Sequence, residues 1–266
     1  MPELAIGWLE SRMTRCRRSP ALDGGFLAGQ PLAQSSRVGA DNGVKRDTFM
    51  KRTVQKLMLT MMMALLGGDH LSAQPSGACK LVADRTGELG CWIIAHDALG
   101  AFAEAQTFWH LHTFSSRAEA EAAKGPRGTV VESMGKVWLL TIEAQGWRPA
   151  KGQQVAQIGP LAVRPGVNYS AQYMEAIFSP GMTSATHDHS GPEAWYTIDG
   201  ETCLETPAGK VIGRAGGPPV IVPDGPMHLT ATGTSLRRAM VLILHDSAKP
   251  SSALVHDWHP KGLCKE

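Results

Sequence analysis

The sequence predicts a mainly β protein in which a sandwich or closed barrel follows an α+β N-terminal region. Between residues 153 and 245, short apolar runs alternate with clusters of turn-forming residues, as in sandwiches and barrels. Earlier in the chain, an Ala- and Glu-rich run at 116–124 separates two pairs of strand-like runs. We therefore expect an α+β region over 74–150, a barrel over 151–246 and a tail over 247–266.

The charge balance excludes one class of partner. The 266 residues contain 26 Lys and Arg against 24 Asp and Glu, a formal net charge of +2. The basic excess lies before residue 53, and beyond it the two signs are close to balance. A chain without a basic surplus in its folded part is not expected to bind nucleic acid. We expect a small-molecule ligand instead.

Residues 50–73 have the anatomy of a signal peptide. Lys51, Arg52 and Lys56 precede an apolar run at 57–66, and Leu-Ser-Ala at 71–73 is a small-residue cleavage site. The run is shorter than the roughly 20 apolar residues of a spanning helix. We predict an exported protein, periplasmic or secreted, with no membrane association after cleavage. Residues 1–49 would then be a non-native or disordered leader, and a genuine organelle-targeting stretch is the alternative.

The cysteines agree with export. Four of the five follow the predicted cleavage site, and four cysteines permit three pairings that sequence does not distinguish. We expect the disulfides Cys79–Cys91 and Cys203–Cys264, the second joining the tail to the barrel; four reduced thiols are the alternative. None of the four forms a C-x-x-C pair, so redox catalysis by cysteine is not expected.

The N-terminal region reads as strand, strand, helix, strand, strand. The runs at 91–96 and 107–114 are strand-like, and the second alternates as a half-buried strand does. Ser116 and Glu119 form a capping-box signature that opens a helix over 116–124, which Gly125 and Pro126 close. Two further strands follow at 128–132 and 136–142. This order is not a barrel repeat, so we do not expect a second barrel.

His110 and His112 in this region form a His-x-His pair without a partner set. The position where a third ligand would be needed holds Ser, and the nearest acid, Glu119, lies in the predicted helix. We interpret the pair as ordinary strand histidines, with a role in lining a ligand pocket as the alternative.

The barrel region supplies candidate pocket residues by alternation along its strands. Taking Glu193 as inward places Trp195 and Thr197 on the same face. Tyr173 and Glu175 share one face of their strand, and Arg238 shares a face with Met240. A role in the barrel core or on its surface is the alternative for each. The predicted strands are 155–158, 162–163, 169–178, 183–189, 194–198, 202–205, 211–212, 220–222, 228–231 and 237–245.

Four residues have the chemistry of a metal site. His187 and His189 are two apart, so both face the same side of a strand. A Ser-Gly-Pro turn then lets Glu193 face the same interior, and His228 opens a strand after a second turn cluster. Imidazole suits zinc, copper, iron and nickel, and a carboxylate adds a preference for harder divalent ions. We expect one divalent metal at His187, His189, Glu193 and His228.

The spacing around these residues resembles the paired motifs of the cupin superfamily. The first runs Gly181, five residues, His187-x-His189, three residues, Glu193, six residues, Gly200. The second runs Gly217, five residues, Pro223-x-Gly225, two residues, His228, three residues, Thr232. Thr232 stands where the family usually has Asn. The resemblance covers roughly residues 150–245. It implies a jelly-roll barrel with a divalent metal at the four ligand positions, iron, manganese or nickel being favoured and zinc or copper open.

Two functional classes follow from this pattern. The first is a metalloenzyme acting on a small molecule, either dioxygenase-like or a Lewis-acid isomerase or hydrolase. Its catalytic base would come from Glu193, from Glu175 or from metal-bound hydroxide. The second is a non-catalytic ligand-binding or sensor module. Many cupins dimerise, so a homodimer is compatible with the sequence without being required by it.

Overall fold

The computed structural model describes residues 79–265, so the predicted leader and signal peptide lie outside the described residues. Among residues 79–265 no helix has the length and apolar character of a membrane span. In this described part of the chain, one helix, α1 (Arg117–Ala123), and one 3-10 turn (Val82–Asp84) accompany the strands. The strands are β1 (Lys80–Leu81), β2 (Gly90–Ala101), β3 (Gln106–Phe114), β4 (Gly128–Ser133), β5 (Lys136–Glu143), β6 (Gln153–Ala162), β7 (Asn168–Phe178), β8 (His187–His189), β9 (Glu193–Asp199), β10 (Glu201–Thr206), β11 (Gly209–Arg214), β12 (Val220–Ile221), β13 (His228–Thr232), β14 (Arg237–Asp246) and β15 (Ser252–Leu254).

These strands form four sheets. The central one has six strands in the order β1-β2-β7-β14-β9-β12. Two small sheets, β11-β10-β13 and β15-β8, lie on the barrel side, and bridges at His187–Met227 and Thr183–Thr230 connect them. The fourth sheet, β4-β5-β3-β6, supplies a second wall outside the barrel. The jelly-roll barrel is thus closed by the central sheet and the two small sheets.

The central sheet is covered on both faces, which produces two separate apolar cores. On β7, Ala171 and Tyr173 join the core shared with the four-stranded sheet, whereas Met174 and Ala176 join the core inside the barrel. All residues of β7 after Asn168 are buried. When both faces of a strand are buried, apolar residues occupy odd and even positions alike. The sequence of such a strand therefore does not reveal which residues face the barrel interior.

The structure confirms the predicted helix and strands as types of element, but several of them begin or end at other residues than predicted. The helix forms, with the Ser116 side chain accepting a hydrogen bond from the Glu119 backbone N–H. The runs at 155–158 and 162–163 belong to the one strand β6, and the run at 183–189 is a strand only from His187. The short strand β15 in the tail was not predicted.

Strand pairing connects the predicted N-terminal region with the predicted barrel across the expected boundary between residues 150 and 151. Strand β2, from the N-terminal region, pairs with β7 of the barrel over most of its length. Strand β6, which follows the boundary, pairs with β3 in the four-stranded sheet. Strand pairing links residues far apart in sequence, and no local pattern reports it.

Both expected disulfides are present, and the tail is bound to the barrel. Cys79 bonds to Cys91, and Cys203 on β10 bonds to Cys264. The buried carboxylate of Glu205 accepts hydrogen bonds from the backbone N–H groups of Lys261 and Leu263. Two disulfides fit an oxidising compartment.

Candidate metal centre

A cavity of about 150 Å³ lies inside the barrel, between the central sheet and the small sheets. Strands β7 and β14 line it with apolar side chains, including Met174, Phe178, Val241 and Ile243. Its polar lining contains His187, His189, Glu193 and Arg237, together with Gln172 and serines of which two belong to the tail. An apolar pocket with a few convergent polar groups is the usual form of a small-molecule site.

The turn that connects β8 to β9 sets the position of Glu193 relative to His189. The backbone carbonyls of Ser190 and Pro192 accept hydrogen bonds from Asp246 and Leu244 of β14, at 3.2 and 2.9 Å. This contact is so close that a Cβ on Gly191 would lie 2.2 Å from the Leu244 carbonyl oxygen. The Gly of the Ser-Gly-Pro turn therefore lets the hairpin pack directly on β14.

Three of the four predicted ligands converge in the cavity. Potential ligand atoms of His187, His189 and Glu193 all lie within 4.8 Å of one another. The His189 Nε2 and Glu193 Oε2 atoms are 2.9 Å apart but are not aligned as a hydrogen bond, and neither has another protein partner. Two ligand atoms that each lie about 2.1 Å from one ion at a right angle are about 3 Å apart. The residues fit a divalent ion.

Backbone carbonyls set the tautomer of both histidines. His187 Nδ1 lies 2.8 Å from the Ala185 carbonyl oxygen, and His189 Nδ1 lies 2.9 Å from that of Ser251. A carbonyl only accepts, so each Nδ1 carries the proton and donates it. In the neutral ring, each Nε2 then presents its lone pair to the cavity, and such backing of metal-binding histidines is common.

The electrostatic environments of the two histidines differ. Burial, reinforced by His189, lowers the pKa of His187, which keeps that ring neutral. Burial also opposes protonation of His189, but the Glu193 carboxylate outweighs it and raises the pKa of His189. A cation placed beside Glu193 is therefore favoured at this point, and a metal ion bound there would displace the proton.

His228, the fourth expected ligand, does not join this group. His187 and Met227 exchange two backbone hydrogen bonds, of 3.2 and 2.8 Å, so these two residues face each other directly. Met227 and Leu229 line the cavity with His187, and alternation turns the His228 side chain to the outer face of β13. The pairing register thus places Met227 where the motif leads one to expect a third histidine.

On the outer face of β13, His228 stands opposite Glu205 of β10. Thr232, which departs from the family pattern, donates a hydrogen bond to the Glu201 carboxylate at 2.8 Å. That contact fixes the end of β13 and lies on the same outer face as His228. The departure therefore concerns strand pairing and leaves the histidine–glutamate group untouched.

Tyr173 and Glu175 do not line the cavity, contrary to expectation. Their neighbours Gln172, Met174 and Ala176 do so, which puts Tyr173 and Glu175 on the opposite face of β7. Glu175 there forms an ion pair with Arg85 and accepts a hydrogen bond from Ser133. Since it faces away from the site, Glu175 is not positioned to act as its base.

Trp195, Thr197 and Arg238 also lie outside the cavity lining. Trp195 and Thr197 share the inward face with Glu193, as expected, but both are buried in the barrel core beside Gly213. Arg238 points outward and forms ion pairs with Glu88 and Asp199. Its neighbour Arg237 faces the cavity instead. Val241 and Ile243 line the cavity, and alternation along β14 puts Arg237 on the same face as these two residues.

The tail contributes to the site, which the sequence did not predict. Strand β15 pairs with β8, and Ser251 and Ser252 line the cavity. No local signal marks this role, because only the pairing brings Ser251 next to His189.

His110 and His112 are buried in the four-stranded sheet beside Trp147. They belong to no metal-binding group among residues 79–265.

Comparison with known proteins finds solved structures of low similarity. No family model and no curated protein matches the chain. Similar solved structures include an uncharacterised conserved protein with a double-stranded β-helix domain from Klebsiella pneumoniae, 19% identical, with a TM-score of 0.28 over 37% of this chain and 78% of that one. A cupin superfamily protein from Desulfitobacterium hafniense is 16% identical, with a TM-score of 0.26 over 32% of this chain and 74% of that one.

An oxalate oxidase in complex with the substrate analogue glycolate is 24% identical, with a TM-score of 0.26 over 34% of this chain and 49% of its own. Matches with TM-scores this low carry no argument about this chain. Within the chain itself, the strands that carry the two spaced motifs help to close the barrel, and the histidine–glutamate group lies inside it. The two spaced motifs of the chain resemble those of the cupin superfamily, and its strands form a β-barrel that holds the histidine–glutamate group.

Proposed function

We propose that the protein is a metalloenzyme acting on a small molecule, with one divalent ion held by His187, His189 and Glu193. The observation that carries the proposal is the convergence of three ligand atoms within 4.8 Å at a buried cavity. Two imidazoles and one carboxylate are the donor set of non-haem iron(II) oxygenases. We therefore favour an oxygen-dependent reaction at iron, manganese or nickel over hydrolysis or isomerisation at zinc.

The residues of the chain have separable tasks in this proposal. In their neutral form, His187 and His189 present unprotonated Nε2 atoms because backbone carbonyls hold their Nδ1 protons. Glu193 supplies the negative charge of the ligand set and, among the described residues lining the cavity, is the one carboxylate available to accept a proton. The apolar walls exclude water from the reacting groups. A bound ion would supply Lewis acidity and, for iron or manganese, a redox centre.

Metal content after purification without added metal tests the ligand set. We expect about one equivalent of divalent metal in the parent protein, with His187→Ala and Glu193→Gln reducing it strongly because each removes a ligand. His228→Ala is the matched control and should retain the metal, since that side chain lies on the outer face of β13. Loss of metal in His228→Ala as well would show that β13 adopts another register and that four residues bind the ion.

Oxygen uptake distinguishes an enzyme from a binding module. The metal-loaded protein is incubated with a panel of small organic acids and their neutral analogues, with Glu193→Gln as the control. Uptake by the parent alone would support the proposed reaction class. A bound ion without turnover of any compound, together with ligand binding, would instead indicate a sensor or carrier.

A further inference from the structure

Arg237 is a buried cation that forms no ion pair within residues 79–265. The residue is 1% exposed, and its Nε and Nη2 atoms have no hydrogen-bond partner. Among residues 79–265, no carboxylate oxygen lies within 4.0 Å of its guanidinium, whereas Arg238 next to it makes two ion pairs. Leaving buried charged N–H groups unpaired is unfavourable, so such a group in a cavity wall points to a ligand.

The guanidinium lies close to two aromatic rings. Its carbon lies 5.5 Å from the centroid of the Phe178 ring and 5.7 Å from that of Trp195. Cation–π contacts of this kind stabilise the charge without using the N–H donors. Burial lowers the pKa of Arg237 to about 10, with Glu193 opposing the shift, so the group stays positively charged at neutral pH.

Arg237 and the histidine–glutamate group belong to different ends of the same cavity. Arg237 opens β14, and Ile243, six residues further along that strand, pairs with Glu193. Six residues of strand span roughly 20 Å between Cα atoms, and both side chains reach inward from their ends. The wall between them is apolar, with Met174, Ala176 and Val241.

We propose that the ligand of this cavity is a small carboxylate whose carboxyl group binds Arg237 and whose apolar remainder extends toward His187, His189 and Glu193. This inference builds on the proposed function and names its substrate class. The planar guanidinium matches a carboxylate through two parallel hydrogen bonds. A cavity of about 150 Å³ limits the ligand to a compact acid, since a volume of that order holds one benzene molecule.

Calorimetry with benzoate, butanoate and the neutral analogue benzamide tests the proposal on protein with its metal content verified. We expect the acids to bind, benzamide to bind at least about tenfold more weakly, and Arg237→Met to weaken the acids by a similar factor. Arg238→Met is the matched control and should leave binding unchanged. Equal binding of benzoate and benzamide, or unchanged binding in Arg237→Met, would overturn the proposal.

A second readout separates recognition from a structural role. Replacing a buried, unpaired charge by an apolar side chain of similar length should leave the melting temperature unchanged or raise it. Arg237→Lys keeps the charge without the planar fork and should bind acids with intermediate affinity. A fall in melting temperature for Arg237→Met that Arg237→Lys restores, with acid binding following folding alone, would show that Arg237 is structural.

Metal removal distinguishes this inference from the proposed function. If the carboxyl group binds Arg237, benzoate still binds metal-free Glu193→Gln protein, in which a repelling negative charge is gone, and Arg237→Met on that background abolishes it. Benzoate binding that needs the metal and ignores Arg237 would overturn the inference while leaving the metal centre intact. Binding that needs Arg237 in a protein that never takes up metal would support the inference and contradict the proposed function.

Discussion

At the scale of single residues, the candidate site depends on close backbone packing as well as on its predicted ligands. Gly191 separates His189 from Glu193, and its α-carbon faces the backbone of β14 with no room for a side chain. The hydrogen bonds on either side of it hold the turn against Leu244 and Asp246. A small change at this position should therefore move the two ligands relative to each other.

Gly191→Ala should lower both the stability and the metal affinity of the protein. The added Cβ would lie 2.2 Å from the Leu244 carbonyl oxygen and 3.2 Å from the His245 Cα, so the turn must shift. We expect a loss of about 1–3 kcal/mol in the free energy of unfolding, measured by urea denaturation, with weaker metal binding by titration. Gly146→Ala, in open space, is the control. Equal effects of the two changes would contradict the packing argument.

At the scale of elements, strand β3 carries two buried histidines that lie outside the candidate metal centre. His110 and His112 lie in the four-stranded sheet against Trp147. Burial, together with the charges of His110 and Arg148, lowers the pKa of His112 to about 4. An imidazole that stays neutral in the folded chain but protonates near pH 6.5 when unfolded makes the sheet sensitive to acid.

Stability should fall as the pH drops from about 6.5 to about 4, because the unfolded chain takes up the His112 proton first. For this residue the full effect is about 3 kcal/mol at most. His112→Gln should flatten part of the slope in urea midpoints measured across this range, whatever it does to absolute stability. His256→Gln at an exposed position is the control. Parallel curves for parent and His112→Gln would refute the assignment.

At the scale of the whole molecule, one disulfide lies near each end of the described residues 79–265 and ties that end to a strand. Cys79–Cys91 joins the segment before β1 to β2 across a separation of 12 residues. Cys203–Cys264 attaches the tail to β10 across 61 residues. The tail also carries Ser251, whose carbonyl orients His189, so its attachment connects stability to the site.

Removing the longer disulfide should destabilise the protein more than removing the shorter one. The restricted unfolded chain accounts for about 4 kcal/mol with the Cys203–Cys264 loop and about 3 kcal/mol with the Cys79–Cys91 loop. The paired Cys-to-Ser variants, compared by urea denaturation, should fall in that order. Loss of the tail disulfide should also weaken metal binding. The reverse order in stability would argue that packing around Cys79 and Cys91, rather than loop length, dominates.

The sequence by itself determined the fold class and the core of the site. The spacing of His187, His189 and Glu193 is local: alternation puts the two imidazoles on one face, and one turn brings the carboxylate beside them. The strands and helix of the N-terminal region also followed from local patterns. Interactions within about ten residues of each other are visible in sequence because geometry relates them directly.

Only the tertiary structure decided which faces meet. The pairing of His187 with Met227 turned His228 outward, a one-residue difference in register that no motif reveals. Strands β7 and β14 are buried on both sides. Their apolar pattern therefore could not show that Arg237 and Met174 face the cavity while Arg238 and Tyr173 face away from it. Ser251 reached His189 only through the pairing of β15 with β8. Long-range strand pairing and two-sided burial therefore decided what the cavity contains, because neither leaves a local pattern in the chain.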